Sequence, residues 1–466
     1  MFSKSWTLTG PRPSALLGSI MVIVFFAGCE DTGRSVSPTA RQQQERTATR
    51  NVAGTLAEDF DPAVPLAYYQ LSLDFSKRTA GFTPPVQSRA YAYMGLALYE
   101  ALVSGMPSHR SIASQLNGIG PLPTARGVAY HWPLVANAAL AEVMRGLWGG
   151  RTDRAGENVS ALDALEARFV SQYAGVPRGV AQRSMEFGHS MGAAVFATSR
   201  DDGGDEGYLK NFPATYTPPT GPGLWVPLPG QVAMQPYWGT TAQTFALSSA
   251  AACNPPGPPA YAETAGSEFY NQALEVHDLV TTAAPDQVAI AKFWADGPGT
   301  ISGPGHSLAI TNQILIQEQA NLAVAAQAYA RVGLADADAV TALWRVKYVH
   351  NLIRPVTYIR RFIDPTFTTT LPTPPFPEYV SAHSGQSAAA MTSLEYLFGR
   401  DVAFVDHSHD VDGMSPRSFD RLYAAAEEAG ISRLYAGIHF RAGNLDGQSL
   451  GRCVAAKVNA LRWRPG

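Results

Sequence analysis

The stretch that decides the fold class is "HSLAITNQILIQEQANLAVAAQAYARVG", residues 306–333. Its apolar residues recur at intervals of three and four, the period of an α-helix that buries one face. Segments 88–105, 135–150 and 160–175 repeat this spacing, and several end at glycine, as helices often do. No comparable series of alternating strands occurs. The sequence therefore predicts an all-α protein of roughly a dozen helices, packed as two four-helix-bundle-like halves.

Composition and charge narrow the class of protein. The chain has 466 residues, 46% of them hydrophobic and 16% charged, which is typical of a globular protein with a large core. The formal net charge of −3 offers no general basic surface, so we expect no nucleic-acid partner. The segment 201–259 is dense in proline and glycine and interrupts the helical pattern. Such a long irregular segment is usually a functional cover or a linker between two halves.

The N-terminal residues indicate export. The apolar run "ALLGSIMVIVFFAGC" follows two basic residues and is too short for an ordinary membrane-spanning helix, so we interpret 1–28 as a signal peptide. Ala27 and Gly28 before Cys29 resemble the lipobox of bacterial lipoproteins, in which the cysteine is lipidated. This resemblance implies a membrane anchor at Cys29 in the bacterial cell envelope, on the periplasmic or the outer side. Plain secretion is the alternative.

The predicted anchor is followed by a polar segment and then by the folded domain. Residues 29–58 are poor in aromatic residues and predict a flexible tether, whereas 59–466 carries the helical pattern. Two further cysteines, Cys253 and Cys453, are too few for a disulfide framework and wrongly spaced for a thiolate metal site. The sequence leaves open whether they form one disulfide.

Two cations stand in "WRVKYVHNLIRP". Lys347 and Arg354 are seven residues apart, which is two helical turns, so on a continuous helix both would project from one face. Pro355 disfavours helix at Arg354 and places that arginine near a helix end. Such a pair is commonly found on a solvated helix face. The two long cationic side chains are also able to converge on one anion.

The stretch "PPFPEYVSAHS" contains a second group of candidates. Ser381 has the features of an N-cap, and the helix turn after it would present free backbone N–H groups to an anion. His383 would lie in that first turn, where an imidazole exchanges protons near neutral pH. A capped helix with an incidental histidine is the simpler alternative.

The third group is in "SRLYAGIHF". Arg433 and His439 are six residues apart, so an ideal helix would not place them on one face, and we expect Arg433 to enter from a helix start. A core histidine beside Phe440 is the simpler explanation of His439 alone. Taken together, the three groups supply cations, a hydroxyl, a helix N-terminus and two histidines. This set suits a tetrahedral or trigonal-bipyramidal oxyanion such as phosphate or vanadate.

The order of these groups resembles a known three-part signature. K-x6-R-P, then P-S-G-H, then S-R-x5-H is shared by the vanadium-dependent haloperoxidases and the type-2 phosphatidic acid phosphatases, and the resemblance covers about 344–451. It implies a vanadium haloperoxidase-like helical fold with vanadate as cofactor. It also implies an oxyanion cradle of three cations, one hydroxyl and one amide: Lys347, Arg354, Arg433, Ser381 and the backbone N–H of Ala382. By the same resemblance His439 coordinates vanadium or accepts phosphate, and His383 is the acid–base residue.

Two aromatic residues separate the two chemistries within this resemblance. Trp344 and Phe376 resemble the aromatic wall of the halide site in vanadium chloroperoxidases, although core packing alone would also explain them. The upstream stretch "FWADG" contains Asp296, which resembles the acidic residue that braces the second arginine of the signature.

The chain also departs from the signature. Val380 and Ala382 replace its proline and glycine, and Gly443 stands where an aspartate usually orients the apical histidine. Loss of that partner weakens metal binding or basicity unless another group replaces it. The candidates to replace the aspartate as the partner of His439 are Asn444, Asp446 or a backbone carbonyl.

The resemblance predicts a vanadate-dependent haloperoxidase that oxidises halide with hydrogen peroxide and so halogenates small organic substrates. In this interpretation Lys347 polarises the bound peroxide. A phosphomonoester or lipid phosphatase acting through a phosphohistidine at His439 is the first alternative. A non-catalytic, oxyanion-binding lipoprotein is the second.

Overall fold

Helices dominate the computed structural model, which describes residues 55–465. The helices, in chain order, are α1 Ala63–Arg78, α2 Pro84–Leu102, α3 Trp132–Trp148, α4 Ala155–Gln172, α5 Arg178–Ser199, α6 Trp238–Thr241, α7 Glu268–Thr281, α8 Pro285–Phe293, α9 Ser302–Gln317, α10 Leu322–His350, α11 Pro355–Phe362, α12 Ala382–Phe398, α13 Leu422–Tyr435 and α14 Arg441–Asn459. One antiparallel hairpin pairs β1, Phe404–Asp406, with β2, Arg417–Phe419. The predicted all-α class is confirmed.

The helices pack as two bundles that share a central contact. In the first bundle α3 packs against α2, α4 and α5, and in the second α12 packs against α10, α13 and α14. The two bundles meet where α2 crosses α10. A Cβ on Gly95 of α2 would lie 2.6 Å from the Tyr329 carbonyl oxygen, and one on Gly333 of α10 would lie 2.7 Å from the Tyr91 carbonyl oxygen. Glycine on both helices therefore allows this close approach.

Helix α10 is the longest helix of the described chain, at 29 residues, and it is buried from Leu322 to Lys347 apart from a few positions. A helix that is apolar on nearly all sides belongs in the middle of a core. Its last turn carries Lys347 into the region where the signature residues meet.

The apolar run 306–333 forms two helices where the periodicity suggested continuity. Helix α9 ends at Gln317, and Gln319 adopts a left-handed backbone with φ of 48°. Asn321 then caps α10, because its Oδ1 accepts a hydrogen bond from the Val324 amide at 2.9 Å. The short polar stretch between the helices therefore ends α9 and caps the start of α10.

The proline-rich segment 201–259 packs against both bundles, since Arg89 of α2 donates to Asp202 at 2.6 Å and Trp238–Thr241 contacts α10. Trp225 and Trp238 are buried within it, and α6 is its one α-helix. Buried Asp338 of α10 accepts hydrogen bonds from the amides of residues 245–247 at 2.6, 2.8 and 2.9 Å. The Trp225 amide donates to the Asn351 carbonyl and the Met234 amide to the Pro375 carbonyl. The segment is therefore fastened to the two loops that flank the predicted site.

Cys253 of this segment and Cys453 of α14 form a disulfide that spans 200 residues. The sequence left this pairing open. No helix among residues 55–465 is both long and apolar enough to cross a bilayer. The predicted signal peptide, the anchor at Cys29 and nearly all of the predicted tether lie outside the described residues.

We expect the disulfide to stabilise the folded chain. Closing a loop of this length restricts the unfolded chain, which is worth roughly 3–5 kcal/mol in the chain-entropy account. The double variant Cys253→Ser/Cys453→Ser should therefore unfold at a lower temperature than the oxidised wild type in scanning calorimetry. Reductant should lower the midpoint of the wild type and leave that of the double variant unchanged. Equal midpoints for oxidised wild type and variant would contradict the expectation.

Candidate oxyanion site

The residues of the three sequence groups converge on one region, although they come from different elements. The last turn of α10 carries Lys347, the N-terminus of α12 carries His383, and the last turn of α13 carries Arg433. Arg354 precedes α11, and His439 lies between α13 and α14. The roles given to these side chains by resemblance remain predictions, whereas their positions follow from the geometry below.

Lys347 is fully buried, and its ammonium group is saturated by backbone carbonyls. Its Nζ donates hydrogen bonds to the carbonyls of Pro377 at 3.1 Å, Glu378 at 3.0 Å and Val380 at 2.5 Å. Burial and then the nearby Arg354 lower the pKa of Lys347 well below its usual value. In the structure these bonds use all three N–H groups of the lysine and hold the chain before Ser381 in place, and its contact with an oxyanion stays a prediction.

Arg354 reaches the site from outside the helix that carries Lys347. Asn351, with φ of 45°, ends α10, so the prediction that both cations project from one continuous helix face is wrong. The Nε of Arg354 donates to the Phe376 carbonyl at 2.8 Å, and Nη1 donates to the Ile438 carbonyl at 2.7 Å. Its Nη2 is buried and has no hydrogen-bond partner among the described residues. One side of the guanidinium is therefore free for an acceptor.

Phe376 lies beneath both cations. The Lys347 Nζ and the Arg354 Cζ are each 4.9 Å from the centroid of its ring. The Phe376 and Trp344 rings are 5.3 Å apart between centroids, and Trp344 Nε1 donates to the Met234 carbonyl at 3.4 Å. The two residues of the predicted halide pocket thus form one aromatic wall beside the positive charges, and their role stays a prediction.

Helix α12 begins as the sequence predicted. Ser381 is its N-cap, with extended backbone angles, and its Oγ accepts hydrogen bonds from the Ser384 amide at 3.3 Å and the Ser384 hydroxyl at 2.9 Å. Within residues 55–465, no acceptor is bonded to the amides of Ala382 and His383. The hydroxyl hydrogen of Ser381 and two backbone N–H groups are therefore available to an anion at a helix N-terminus.

His439 is held by a carboxylate that the sequence analysis did not identify. Its Nδ1 donates a hydrogen bond to Glu378 Oε1 at 2.8 Å, and the same oxygen accepts the Phe440 amide at 3.0 Å. Burial and then Arg354 lower the pKa of His439 well below its usual value, so the imidazole is neutral. Its Nε2 faces Arg354 Nη1 at 3.2 Å. The Glu378 contact leaves that nitrogen unprotonated and directed into the site.

Glu378 also explains the glycine that replaces the aspartate of the signature. A Cβ at Gly443 would lie 2.4 Å from Glu378 Oε1, so no other residue fits there while the glutamate occupies this position. Asn444 and Asp446 do not take over the role. Asn444 Oδ1 lies 3.2 Å from the Ser384 hydroxyl oxygen, and Asp446 Oδ2 accepts from the Tyr379 hydroxyl at 2.7 Å. The carboxylate that holds this imidazole comes instead from the loop before α12.

Arg433 lies in the last turn of α13, so the expectation that it enters from a helix start is wrong. Its Nη2 donates to the Trp294 carbonyl, and its Nε contacts the Ser432 hydroxyl at 3.0 Å. Asp296 makes no hydrogen bond with this guanidinium and acts on it through its charge. Backbone carbonyls brace the arginine in place of the predicted aspartate.

His383 is the most open of the signature side chains, with 19% of its side chain exposed. Its Nε2 lies 3.4 Å from Asp296 Oδ2, an ion-pair distance without hydrogen-bond geometry. Burial and then the charge of Arg433 lower the pKa of His383 to about 4, against the opposite effect of Asp296. The imidazole is therefore neutral at neutral pH and able to accept a proton.

Asp296 is the centre of a buried network of carboxylates and histidines. It accepts hydrogen bonds from His306 Nδ1 at 3.0 Å and His409 Nε2 at 3.1 Å. The other ring nitrogens donate as well: His306 Nε2 donates to Asp406 at 2.8 Å, and His409 Nδ1 donates to Asp412 at 2.9 Å. Because each ring donates to carboxylates at both nitrogens, both histidines are imidazolium ions.

The network fixes the charge of Asp296. Burial alone would raise its pKa, but His306 and the hydrogen bonds outweigh burial and hold the pKa well below its usual value. Conversely, Asp296 and Asp406 overcome the burial of His306 and raise its pKa to about 10. Asp296, His306 and His409 are close enough to share a metal ion, yet hydrogen bonds already account for their donor atoms. Asp296 thus remains an anion beneath His383. The histidine partners of Asp296 lie in "GPGH" and "HSHDVD", which were the only sequence signals of this network.

We expect His409→Gln to raise the pKa of His383 by about one unit. Glutamine keeps a donor near Asp296 but removes the positive charge, so the carboxylate attracts a proton to His383 more strongly. Ring ¹⁵N shifts followed by pH titration, and assigned with His383→Ala, would measure the change. His407→Gln is the matched control, because His407 is on the same loop and half exposed. An unchanged or lower pKa in His409→Gln would show that the network does not control His383.

Comparisons with known proteins agree with this geometry. The family model for the VCPO second helical-bundle domain matches residues 327–463. Vanadium chloroperoxidase of Curvularia inaequalis is 25% identical over 459 residues, which cover 77% of this chain and 74% of that protein.

Two solved structures of bacterial proteins extend the likeness to the whole fold. A vanadium-dependent chloroperoxidase in its holo form superposes with a TM-score of 0.63 at 15% identity, covering 82% of this chain and 92% of the other, and this likeness concerns the fold alone. A vanadium-dependent iodoperoxidase superposes with a TM-score of 0.78 at 30% identity, covering 87% of this chain and 98% of the other. A relative of that identity, matched almost from end to end, shows that this chain belongs to the vanadium-dependent haloperoxidases, which are enzymes.

Proposed function

We propose that this protein oxidises halide with hydrogen peroxide to hypohalous acid, using vanadate. The observation that carries the proposal is the neutral imidazole of His439, whose Nδ1 is held by Glu378 and whose Nε2 faces Arg354. Relatives named for chloroperoxidase and iodoperoxidase activity support the same chemistry.

The described residues fit vanadate as the cofactor. Vanadate needs one nitrogen ligand and several donors to its oxygens, and a neutral imidazole such as His439 is a suitable metal ligand. Arg354 Nη2 is buried without an acceptor, and the amides of Ala382 and His383 are unbonded at a helix N-terminus. Buried donors of this kind need an acceptor, and an oxyanion would satisfy all of them together.

Bound vanadate supplies Lewis-acid activation of peroxide, and the protein supplies charge and proton transfer. Arg354 and Arg433, both buried, neutralise the oxyanion and strengthen each hydrogen bond made to it. Glu378 keeps the ligand nitrogen of His439 free of a proton. Lys347 positions the loop that holds both Glu378 and Ser381, and its predicted polarisation of peroxide would require it to give up one of its carbonyl partners.

His383 provides the proton transfer. Conversion of peroxide and halide to hypohalous acid and water consumes one proton, which must come from solvent. A group of the site must therefore accept the proton of peroxide and deliver protons, including one from solvent, to the departing oxygen. His383 is neutral above about pH 4 and partly exposed, so it meets both requirements. Once protonated, it is stabilised by the permanent charge of Asp296 at 3.4 Å.

The aromatic wall favours halide as the second substrate. Phe376 and Trp344 form an apolar surface that removes water from an anion, while Lys347 and Arg354 above the Phe376 ring supply the attraction. Hydrolysis of a phosphate ester has no need of such a surface. We therefore place halide at this wall, with a small organic molecule as the acceptor of the hypohalous acid.

We further propose that the enzyme acts outside the cytoplasm, tethered through Cys29. The Cys253–Cys453 disulfide supports this location, because disulfides persist in oxidising compartments.

Loading the purified chain with vanadate should give peroxide-dependent halogenation of a phenolic dye in chloride, bromide or iodide. His439→Ala should lose this activity at least a hundredfold, because it removes the nitrogen ligand. His407→Ala, an exposed histidine of another loop, is the control and should retain it. Release of phosphate from an aryl phosphate without vanadate, in place of halogenation, would support the phosphatase alternative. Vanadate binding with neither activity would overturn the enzymatic proposal.

A double-mutant cycle tests the role of Glu378. Glu378→Ala should weaken vanadate binding by about 10- to 100-fold, because His439 loses its carboxylate partner. Gly443→Asp alone should also weaken binding, since its Cβ would lie 2.4 Å from Glu378 Oε1. The combination Glu378→Ala/Gly443→Asp should recover affinity, because a carboxylate is again placed near Nδ1, from α14. Calorimetric titration with vanadate measures all four proteins, and additive losses would contradict the exchange.

A further inference from the structure

A second cationic site lies far from the oxyanion site. A cavity of about 530 Å³ opens between α10, the end of α12 and the C-terminal segment. Four arginines and no acidic residue line it: Arg110, Arg331, Arg462 and Arg464. Arg331 precedes Lys347 by sixteen residues on α10, which places the two about 24 Å apart along the helix axis.

Arg331 is the buried member of this group, with 2% of its surface exposed. Its Nη1 donates to Asn459 Oδ1 at 2.8 Å, and its Nε is buried without a partner. Its Cζ lies 4.0 Å from the Trp463 ring centroid and 4.6 Å from that of Tyr396. Two rings and one amide oxygen are thus the neighbours of a buried positive charge.

No carboxylate within residues 55–465 forms an ion pair with any of the four arginines. Burial lowers the pKa of Arg331 to about 10, and the neighbouring charge of Arg464 acts in the same direction. Burying a charge without a counter-ion is unfavourable, and contact with aromatic rings offsets only part of that cost. Among residues 55–465, the arrangement therefore lacks a negative charge.

We propose that this cavity binds a small oxyanion, either inorganic phosphate or the carboxylate of a small organic molecule. Guanidinium groups hold both kinds of group through paired hydrogen bonds. Arg331 anchors the anion at the base of the cavity, and half-buried Arg110 and exposed Arg462 and Arg464 line the rest of it. Tyr396, which is 60% exposed, offers an aromatic face beside the charges for an organic carboxylate.

Calorimetric titrations of the full chain with phosphate and with benzoate, at constant ionic strength, test the site. Wild type should bind at least one of the two, and Arg331→Gln should weaken that binding about tenfold or more. Arg464→Gln should weaken the binding as well. Because Arg464 is exposed, this variant tests the site even if Arg331→Gln fails to fold. Arg361→Gln is the control, because this arginine is 64% exposed and lies outside the cavity.

The outcomes separate this site from the vanadate site. Binding lost in Arg331→Gln and Arg464→Gln but kept in His439→Ala supports the proposal, and the ligand that binds identifies its source as phosphate or carboxylate. Binding that is lost only in His439→Ala belongs to the oxyanion site and overturns the proposal. Absence of binding by both ligands overturns it too.

Discussion

The hydrogen bond from His439 Nδ1 to Glu378 Oε1 is the constraint on which the proposed chemistry depends. An imidazole among buried cations loses its proton in any case, but only a fixed partner decides which nitrogen keeps the remaining hydrogen. The carboxylate places that hydrogen on Nδ1 and leaves Nε2 unprotonated. Burial also raises the pKa of Glu378 to about 7, so the arrangement has a cost in free energy that the surrounding cations reduce.

The site accumulates positive charge with few counter-ions, and backbone carbonyls make this possible. Lys347, Arg354 and Arg433 are all buried, and each donates to main-chain oxygens from loops that follow or precede helices. Carbonyl dipoles satisfy the N–H groups without cancelling the charge. The pocket is therefore strongly attractive to an anion while its walls remain hydrogen-bonded.

The periodicity of apolar residues was sufficient to predict the fold class, and local spacing was sufficient to predict the N-cap at Ser381. Both depend on residues that are neighbours in sequence. The partners of Asp296 were out of reach, because His306 and His409 approach it from 10 and 113 residues away with no shared motif. The same holds for Lys347 and Arg354, which the sequence placed on one helix and the structure brings together through a turn at Asn351.

Glu378 and Gly443 show why a signature is better interpreted through geometry than through identity at each position. When the motif is compared residue by residue, Gly443 means that the aspartate partner of His439 is lost. In the structure, the missing side chain at Gly443 leaves the space that Glu378 occupies. The carboxylate that holds Nδ1 comes here from the loop before α12, and the glycine on α14 leaves room for it. Glu378 and Gly443 are 65 positions apart in the sequence, so comparison of the motif alone does not reveal that they are neighbours.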